Sequence, residues 1–418
     1  MLAHLHGLVA DQDALLRGTA PRCPSCGCAM ESRGRRRTPL ITRFGRLAVA
    51  ASVYRCRTCR GQVTPLLQRL GVEAGCVSGM LARLLALLGV VVPYELAAQL
   101  VYLCFGVTVS PMTVWRAVQR LGAACERYIE AQAAFHSDGR NNQAELHRRG
   151  VDAVILGVDG AALGMQVRAT RRRRVDGVPL PPLPPVEDGH FREVKTGVML
   201  LPAERYEPTP GRHSVVRRVL CTCLGDADQI FARLRAKLHA LGWLGTATVV
   251  VVVGDGAEWL WKRAALFPRR CEILDFWHAI EKAWAFAHAR YGDGSARATR
   301  WISRVADDLR AGRVGEVILR LQRLRATNEE QQEALDALLR YYTDNRARMR
   351  YDEYRRQGYG IGSGAVESAH KQVLHARLRQ AGMRWSEAGA RHLLALRVLL
   401  LNGEWSLLDR LAMTPLAA

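Results

Sequence analysis

The spacing of apolar residues along the chain changes near residue 150. Between residues 70 and 128, apolar side chains recur at helical intervals, first in SGMLARLLALLG and then in VPYELAAQLVYLCFGVTVSPMTVWRAVQRLG. The second segment predicts a helix, a short turn and another helix. Ser110 followed by Pro111 suits the start of the last helix. Residues 20–65 instead contain alternating stretches that favour short strands.

Beyond residue 150 the pattern is typical of an α/β core. AVILGVDGAALGMQV, EVKTGVMLL and SVVRRVLCTCLG predict three strands, DQIFARLRAKLHALGW predicts an amphipathic helix, and TATVVVVVGDG predicts a fully buried strand. A short helix and another strand, CEILDFWH, follow. This order of elements is that of a ribonuclease H-like core, a mixed sheet covered by helices. Residues 279–357 are almost wholly helical and Arg-rich, which predicts an all-helical insertion.

A basic, Pro-rich segment interrupts this core between its first two predicted strands. Residues 168–186 contain four consecutive arginines followed by PLPPLPPV. Proline at that density excludes a central strand and favours an extended loop. Such a loop suits contact with DNA and plain solvent exposure equally well, so its role stays open.

Two cysteine pairs near the N-terminus have the spacing of a metal site. Cys23 and Cys26 form one C-x2-C pair, and Cys56 and Cys59 form the other. Four thiolates in two such pairs can coordinate a structural Zn²⁺ tetrahedrally. The alternating stretch between the pairs favours the strands of a zinc ribbon. Cys28 is a rival ligand to Cys26, and two incidental or redox pairs are the alternative to a zinc site.

The charge balance points to a polyanionic partner. The 418 residues include 60 Lys+Arg and 39 Asp+Glu, for a formal net charge of +21. A surplus of that size attracts nucleic acid first and an acidic membrane surface second. An arginine-rich proteome is the alternative explanation. Four arginines lie on the predicted loop between the cysteine pairs, where they suit phosphate binding or a solvated turn: Arg33, Arg35, Arg36 and Arg37.

The sequence shows neither a signal peptide nor a membrane span. Its first residues lack a basic start, and no run of about 18 apolar residues occurs. We therefore expect a cytoplasmic protein without membrane contact. In that compartment the 11 cysteines are expected to be reduced thiols or metal ligands.

The helix predicted to begin after Ser110 is the candidate DNA reader. Val114, Val118 and Leu121 fall on one face and leave a polar face for a ligand. The arrangement resembles a helix-turn-helix, whose second helix enters the major groove. An ordinary helical hairpin is the alternative. The polar face carries the candidate DNA contacts Thr113, Arg116, Gln119 and Arg120.

Three carboxylates occupy positions that suit divalent metal ions. Asp159 ends the first predicted strand and Asp255 ends the buried strand, so neighbouring strands would place them side by side. Glu367 lies one turn into a later helix. Phosphodiester cleavage on this fold uses two divalent ions about 4 Å apart, and hard Mg²⁺ or Mn²⁺ takes carboxylate oxygens. Each acid could instead merely cap a helix or complement a helix dipole.

Residues around these acids extend the candidate site. The small residues Gly160, Gly254 and Gly256 are expected to let a DNA backbone come close. His370 and Lys371 follow Glu367 at helical spacings that share its face. The candidate DNA contacts in this C-terminal block are Lys371 and Arg384.

Four motifs carry a family resemblance. GVDGA, GDGAEWLW, ILDFWHAIEKAW and GIGSGAVESAHKQVLHARLRQAGMRWSEAGA occur in that order. Across about residues 150–405 the chain resembles the ISKra-type insertion-sequence transposases, bacterial relatives of the Mutator-like transposases. The resemblance implies DNA transposition on a ribonuclease H-like core, and carries the metal-binding acids onto Asp159, Asp255 and Glu367. Residues 168–186 are not part of the family pattern.

The family pattern leaves one ligand open. Mutator-like enzymes have an Asp-x-x-His signature after the second acid, and Asp275 with His278 resembles it. Asp275 also ends a predicted strand and is a rival to Asp255. We prefer Asp255 because its strand is more apolar, hence more central, and because glycine flanks it. His278 is a candidate for contacting the scissile phosphate or for orienting Asp275, with a purely structural pair as the alternative.

The sequence thus predicts a transposase that binds the ends of an insertion element and cleaves and joins DNA with two Mg²⁺ or Mn²⁺ ions. Because transposition must hold the two ends of the element together, we expect a homodimer or larger assembly on DNA. We also expect the protein to be associated with the bacterial nucleoid. A structure-specific nuclease and an inactive zinc-containing DNA-binding regulator are the alternatives. The predicted parts are a zinc ribbon (1–66), a helix-turn-helix-like domain (67–128), a linker (129–150), the core (151–278 and 358–418) and the helical insertion (279–357).

Overall fold

The computed structural model describes residues 2–18, 20–72, 77–137, 150–166, 190–209 and 212–413. The basic, Pro-rich segment 168–186 therefore lies outside the described residues. Contacts between residues divide the chain into two units. Unit 1 comprises Met1–Tyr128 and Ser386–Ala418, and unit 2 comprises Ile129–Trp385. None of the helices described is long and apolar enough to cross a membrane.

Unit 1 begins with a helix and a three-stranded antiparallel sheet. Its first elements are α1 (Leu2–Leu16), β1 (Met30–Thr42), β2 (Gly45–Cys56), β3 (Gln62–Val63) and α2 (Pro65–Arg69). The strand order is β1-β2-β3. Residues 33–37, predicted to be a loop, lie within β1 instead. They form a strand because β1 continues its antiparallel pairing with β2 beyond the register shift between Ser32 and Arg35.

Three helices follow the sheet. They are α3 (Gly79–Val91), α4 (Tyr94–Phe105) and α5 (Pro111–Ser137), and Leu81, Leu85 and Val114 lie in their common buried core. The start of α5 is as predicted, because the Ser110 hydroxyl accepts a hydrogen bond from the Thr113 backbone N–H at 3.1 Å. The helix continues to Ser137, so the range predicted as a linker begins within it.

Unit 2 contains a five-stranded mixed sheet. Its strands are β4 (Ala153–Gly164), β5 (Phe191–Leu200), β8 (Val219–Cys223), β9 (Val249–Gly254) and β10 (Arg270–Leu274), and a separate hairpin is formed by β6 (Arg205–Thr209) and β7 (Arg212–Val215). The order in the sheet is β10-β9-β4-β5-β8. β9 is parallel to β4 and to β10, whereas β5 is antiparallel to β4 and to β8. The predicted mixed sheet is confirmed.

The other helices of unit 2 lie between and after these strands in the sequence. They are α6 (Ala227–Ala240), α7 (Glu258–Ala264), α8 (Phe276–Tyr291), α9 (Ala296–Arg310), α10 (Val314–Gln322), α11 (Glu329–Asn345), α12 (Tyr351–Arg356) and α13 (Gly364–His370). A side chain at Gly157 would collide with Val366 of α13, and one at Gly197 would collide with Leu234 of α6. Gly197 pairs with Val158, so these two glycines lie on opposite faces. Helices α6 and α13 therefore pack on opposite sides of the sheet.

The last two helices belong to unit 1. They are α14 (Glu387–Leu401) and α15 (Leu407–Met413). The buried Arg397 donates a hydrogen bond to the Val90 carbonyl at the end of α3, at 2.8 Å. A side chain at Gly122 of α5 would collide with His392. Residues 358–418 were expected with the core, but these contacts divide the range at Ser386.

Candidate functional site

Four cysteines form a cluster in unit 1. The Sγ atoms of Cys23, Cys26, Cys56 and Cys59 all lie within 4.8 Å of one another. The Cys23–Cys59 and Cys26–Cys59 separations are 3.3 and 3.7 Å. A tetrahedron with Zn–S bonds of about 2.3 Å has edges of about 3.8 Å, so the cluster fits a zinc ion. The predicted grouping of these four cysteines is confirmed. Cys28 lies outside the cluster, with its sulfur 3.5 Å from the Thr58 hydroxyl.

The backbone around the cysteines favours a thiolate. The Cys59 backbone N–H donates a hydrogen bond to the Cys56 sulfur and, with further hydrogen bonds, lowers the pKa of Cys56 to about 6. Ligand thiols must lose their protons to bind a metal. The turn that follows β2 therefore supplies a ligand close to its reactive form.

In unit 2, three carboxylates share one edge of the sheet. Gly157 of β4 pairs with Val253 of β9, and Gly254 pairs with Leu274 of β10. Continuing this register places Asp159, Asp255 and Asp275 in one row across three parallel neighbours. Such strands lie about 4.8 Å apart. Sequence alone had put Asp159 at the end of its strand, but β4 runs on to Gly164 because it keeps pairing with β5.

Asp159 faces α13 from the middle of β4. Residues 157 and 159 lie on the same face by alternation, and Gly157 contacts α13 through Val366. The Asp159 side chain is 43% exposed, and one of its oxygens lies 3.6 Å from Nδ1 of the buried His370. Burial lowers the pKa of His370, so its ring favours the neutral form. Among the described residues, its Nε2 atom has no hydrogen-bond partner.

Asp255 combines a fixed backbone with an exposed carboxylate. The Tyr341 hydroxyl of α11 donates to its carbonyl oxygen at 2.6 Å. Its carboxylate accepts the Ala257 backbone N–H at 3.0 Å and remains exposed. Burial and the nearby negative charge of Asp255 raise the pKa of Tyr341, so this hydroxyl keeps its proton.

The glycines beside these acids have a packing role. A side chain at Gly160 would collide with the carboxyl group of Glu193, and one at Gly254 would collide with Leu260. Both positions alternate with the carboxylates and thus point to the opposite face. Leu260 is fully buried, so internal packing accounts for Gly254, whereas the Glu193 carboxyl group is the end of a flexible, half-exposed side chain.

Glu367 lies on α13 with its side chain exposed. It precedes His370 by three residues, a spacing that places both on neighbouring positions of one helix face. His370 contacts Asp159, so Glu367 shares the face of the sheet that carries Asp159. Among the residues described, the four cysteines are the one group of three or more ligand atoms within 4.8 Å of one another. Asp159, Asp255 and Glu367 therefore do not form such a group in this structure.

Asp275 differs from the other acids because it is fully buried. It caps α8 by accepting the backbone N–H groups of Trp277 at 2.6 Å and His278 at 2.9 Å. Its other oxygen accepts the backbone N–H of Ser363, just before α13. Burial raises its pKa, but the hydrogen bonds from His278 and Ser363 lower the pKa further than burial raises it. The Asp275 carboxylate therefore connects the edge of the sheet to the segment just before α13.

His278 contacts the carboxylate of Asp275. Its Nδ1 atom lies 3.5 Å from that carboxylate. The nearby Asp275 carboxylate raises the pKa of His278 despite partial burial, and the charge of Asp255 adds to the effect.

Asp275→Asn is expected to lower the free energy of unfolding of unit 2 by about 1–3 kcal/mol, because an amide N–H would face a buried backbone N–H. Urea unfolding at neutral pH measures the change. The native pKa is depressed, so the stabilisation by the charged group is present above the unfolded pKa and is lost as pH falls through the native pKa. The two proteins should therefore converge in acid. The control Asp255→Asn, at an exposed carboxylate, should change stability by less than about 0.5 kcal/mol; equal effects would contradict a structural Asp275.

The candidate DNA contacts are not equally available. Arg116 is exposed on α5. Gln119 is half-buried, and its Oε1 atom lies 2.7 Å from Nδ1 of His392. Arg120 is also half-buried. In unit 2, Lys371 is exposed on the π-helical turn after α13, and the exposed Arg384 guanidinium lies 5.5 Å from the centre of the Phe191 ring. Arg116 is therefore the exposed base-reading candidate of unit 1.

Sequence reasoning missed an arginine-lined cleft on the α13 face of the unit 2 sheet. Its lining includes Arg205, Arg218, Arg310 and Arg355. These residues come from a hairpin, the strand-connecting segment before β8, and two helices. No local pattern relates them, so only the folded structure brings them together.

Comparisons with known proteins give a distant structural likeness. No family model matches the chain, and no curated protein matches it. A solved structure of the Drosophila P element transposase strand transfer complex is similar over 82% of this chain and 83% of that chain. The identity is 11% and the TM-score is 0.27. A TM-score of this size does not establish a common fold.

Proposed function

We propose that this protein is a metal-dependent DNA transposase of the DDE kind, with Asp159, Asp255 and Glu367 as the metal-binding acids. One observation carries the proposal: the register of β4 and β9 puts Asp159 beside Asp255 at one edge of the sheet. Helix α13 packs on the same face and carries Glu367. The acids come from three distant segments of the chain, so only folding could bring them together.

The strand order supports a ribonuclease H-like core. β4, β5 and β8 form consecutive antiparallel neighbours, while β9 and β10 extend the sheet in parallel on the other side of β4. A helix separates β8 from β9, as the proposed core requires. The helices α8 to α12 that precede α13 correspond to the proposed insertion.

The donor set fits hard divalent cations. Asp159 and Asp255 offer partly or fully exposed carboxylate oxygens, which Mg²⁺ and Mn²⁺ prefer. Two such ions, when bound, activate the attacking oxygen and stabilise the leaving oxygen. Residues of the chain position these acids. Asp159 contacts His370, and Tyr341 donates a hydrogen bond to the backbone carbonyl of Asp255. Asp275 accepts a hydrogen bond from the backbone just before α13.

Unit 1 supplies the proposed DNA-binding surfaces. Arg36 and Arg37 are exposed on β1, in the same unit as the four-cysteine cluster. Arg116 is exposed on α5. Together with the net charge of +21, these side chains favour contact with DNA phosphates. Because transposition requires two DNA ends to be held together, we also propose a dimer or larger assembly on DNA.

An assay with DNA taken from the flanks of the reading frame tests the proposal. We expect inverted repeats there, nicking at their ends that depends on Mg²⁺ or Mn²⁺, and joining of the released ends to a target. Cutting without joining would favour a structure-specific nuclease. Binding without any metal-dependent cutting would favour a DNA-binding regulator.

Arg116→Ala is expected to weaken binding to the element ends by about 1–3 kcal/mol, and binding to random DNA much less, because α5 would read base edges. Titration of labelled duplexes at several salt concentrations measures both affinities. The matched control is Arg127→Ala, an exposed arginine three turns further along α5. It should leave the preference for element ends unchanged. Equal losses on both DNAs from Arg116→Ala would show that the helix contacts only the backbone.

A further inference from the structure

The arginine-lined cleft lies on the same face of the sheet as Asp159. Its floor includes Gly157 of β4 and Val253 of β9, which precede Asp159 and Asp255 by two residues. Two residues along a strand span about 7 Å, and alternation keeps such pairs on one face. The cleft therefore begins directly beside the proposed metal-binding acids.

The cleft is strongly basic. Its described lining contains four arginines and no acidic residue. Within the part of the chain that the structure describes, no carboxylate forms an ion pair with Arg205, Arg218 or Arg355. Arg310 has a carboxylate partner, Asp307, at 3.3 Å. An anion entering this cleft would thus meet positive charge that internal ion pairs leave largely uncompensated.

Neutral groups hold three of these guanidinium groups in place. Arg205 donates to the Gly358 carbonyl at 3.1 Å, and Arg218 donates to the Ser368 hydroxyl at 3.1 Å. Arg310 lies 4.7 Å from the centre of the Phe276 ring. Arg205 is half-buried, and this burial lowers the pKa of its guanidinium group. Such preorganised, partly desolvated guanidinium groups suit phosphate oxygens.

The rest of the cleft suits a planar ring. Its volume is about 1020 Å³, far more than a phosphate fills. The floor is apolar, with Ile155, Leu200 and Val366 among its lining residues. Trp277 also lines the cleft, and 60% of its surface is exposed. Bases stack on exposed aromatic side chains of this kind in proteins that bind single strands.

We propose that this cleft holds one unstacked nucleotide of the bound DNA strand, with its base against Trp277 and the apolar floor and its phosphates on the arginines. The choice of a DNA strand as the source rests on the proposed function. The recognition itself, a base joined to a phosphate, rests on the cleft alone. Extrusion of a base costs a few kcal/mol of stacking, which the aromatic and apolar contacts offset.

A fluorescent base tests the inference in the full-length chain. The probe is a short single-stranded oligonucleotide with one 2-aminopurine, whose fluorescence changes when it leaves the stack of bases and packs against Trp277. No divalent cation is added, so cleavage does not enter the measurement. We expect Arg355→Ala and Trp277→Ala each to weaken the binding that produces this signal by roughly tenfold. The matched control is Arg300→Ala, an exposed arginine on α9 outside the cleft lining, which should change it less than twofold.

Competition identifies the ligand. Free deoxyadenosine monophosphate should displace the probe better than inorganic phosphate, because only the nucleotide uses the apolar floor. Equal competition by phosphate would overturn the nucleotide assignment. Unchanged binding of both the probe and free deoxyadenosine monophosphate in Arg355→Ala and Trp277→Ala would overturn the site. Variants that lose free nucleotide but bind the probe normally would overturn the DNA strand as its source.

Measuring DNA cleavage beside probe binding separates this inference from the proposed function. If the wild type never cuts DNA but the arginine and tryptophan variants still lose probe binding, the cleft assignment stands without the transposase assignment. If the wild type cuts and joins DNA but both variants bind the probe as the wild type does, the cleft assignment alone fails.

Discussion

Asp159→Asn and Asp255→Asn are each expected to reduce DNA cleavage and joining by at least about a thousandfold. A neutral amide keeps the shape of the side chain but lacks the charge that binds Mg²⁺. Losing several kcal/mol of metal-derived stabilisation corresponds to that factor at about 1.4 kcal/mol per tenfold. Single-turnover assays on DNA carrying the element ends measure the loss. Folding and end binding should survive, because removing one of several clustered carboxylates relieves repulsion.

The matched control is Asp152→Asn. Asp152 is exposed and immediately precedes β4, at the end of the strand away from the proposed site. The Asp152→Asn variant should cleave DNA at the wild-type rate. The double variant of Asp159 and Asp255 should be no worse than either single variant, because one missing ligand already disrupts the two-metal site. Mn²⁺ should support activity wherever Mg²⁺ does, whereas Ca²⁺ should bind without supporting it.

Glu367→Gln should have the same effect as the two Asp variants. Near-normal cleavage by this variant in Mg²⁺ would remove Glu367 from the site. The sequence then offers Asp352, Glu353 and Glu387 as replacements. Asp352 pairs with Arg356 at 2.8 Å and Glu353 pairs with Arg350 at 3.1 Å, while Glu387 belongs to unit 1. Glu367 is therefore a stronger candidate for a metal ligand than these three residues.

Cys56→Ser is expected to remove zinc and unfold the N-terminal sheet. Purified wild-type protein should carry about one zinc per chain, and a structural zinc contributes about 10–16 kcal/mol of binding free energy to small domains. The loss should therefore far exceed the stability of a three-stranded sheet. Elemental analysis measures the metal, and limited proteolysis followed by mass spectrometry locates the unfolding. Unit 2 should stay resistant, since its contacts form a separate compact unit.

Cys28→Ser is the matched control for the zinc site. Cys28 is exposed and lies outside the four-sulfur cluster, so this variant should keep both the metal and the folded sheet. Zinc-free wild-type protein, freshly prepared without chelator, would refute the site. Loss of zinc from Cys28→Ser and not from Cys26→Ser would exchange the two ligands.

Local patterns in the sequence were sufficient for β9, for the start of α5 and for the cysteine cluster. The valine run predicts β9 because a strand covered on both faces needs apolar residues at every position. The C-x2-C spacing predicts the cluster because each pair closes within one short turn. The Ser110 cap is equally local. Such features depend on residues a few positions apart, which is the range over which a sequence pattern carries information.

Contacts between distant segments decided the rest. Asp255 and Asp275 both follow strands and look alike in sequence, yet Asp275 is buried against Ser363, 88 positions away. Gln119 looks free on its helix face, but His392 from α14 engages it. The cleft arginines share no motif at all. Burial and charge compensation depend on which segments pack together, and the free energy of that packing is shared among residues far apart in the chain, so only the tertiary structure reveals them.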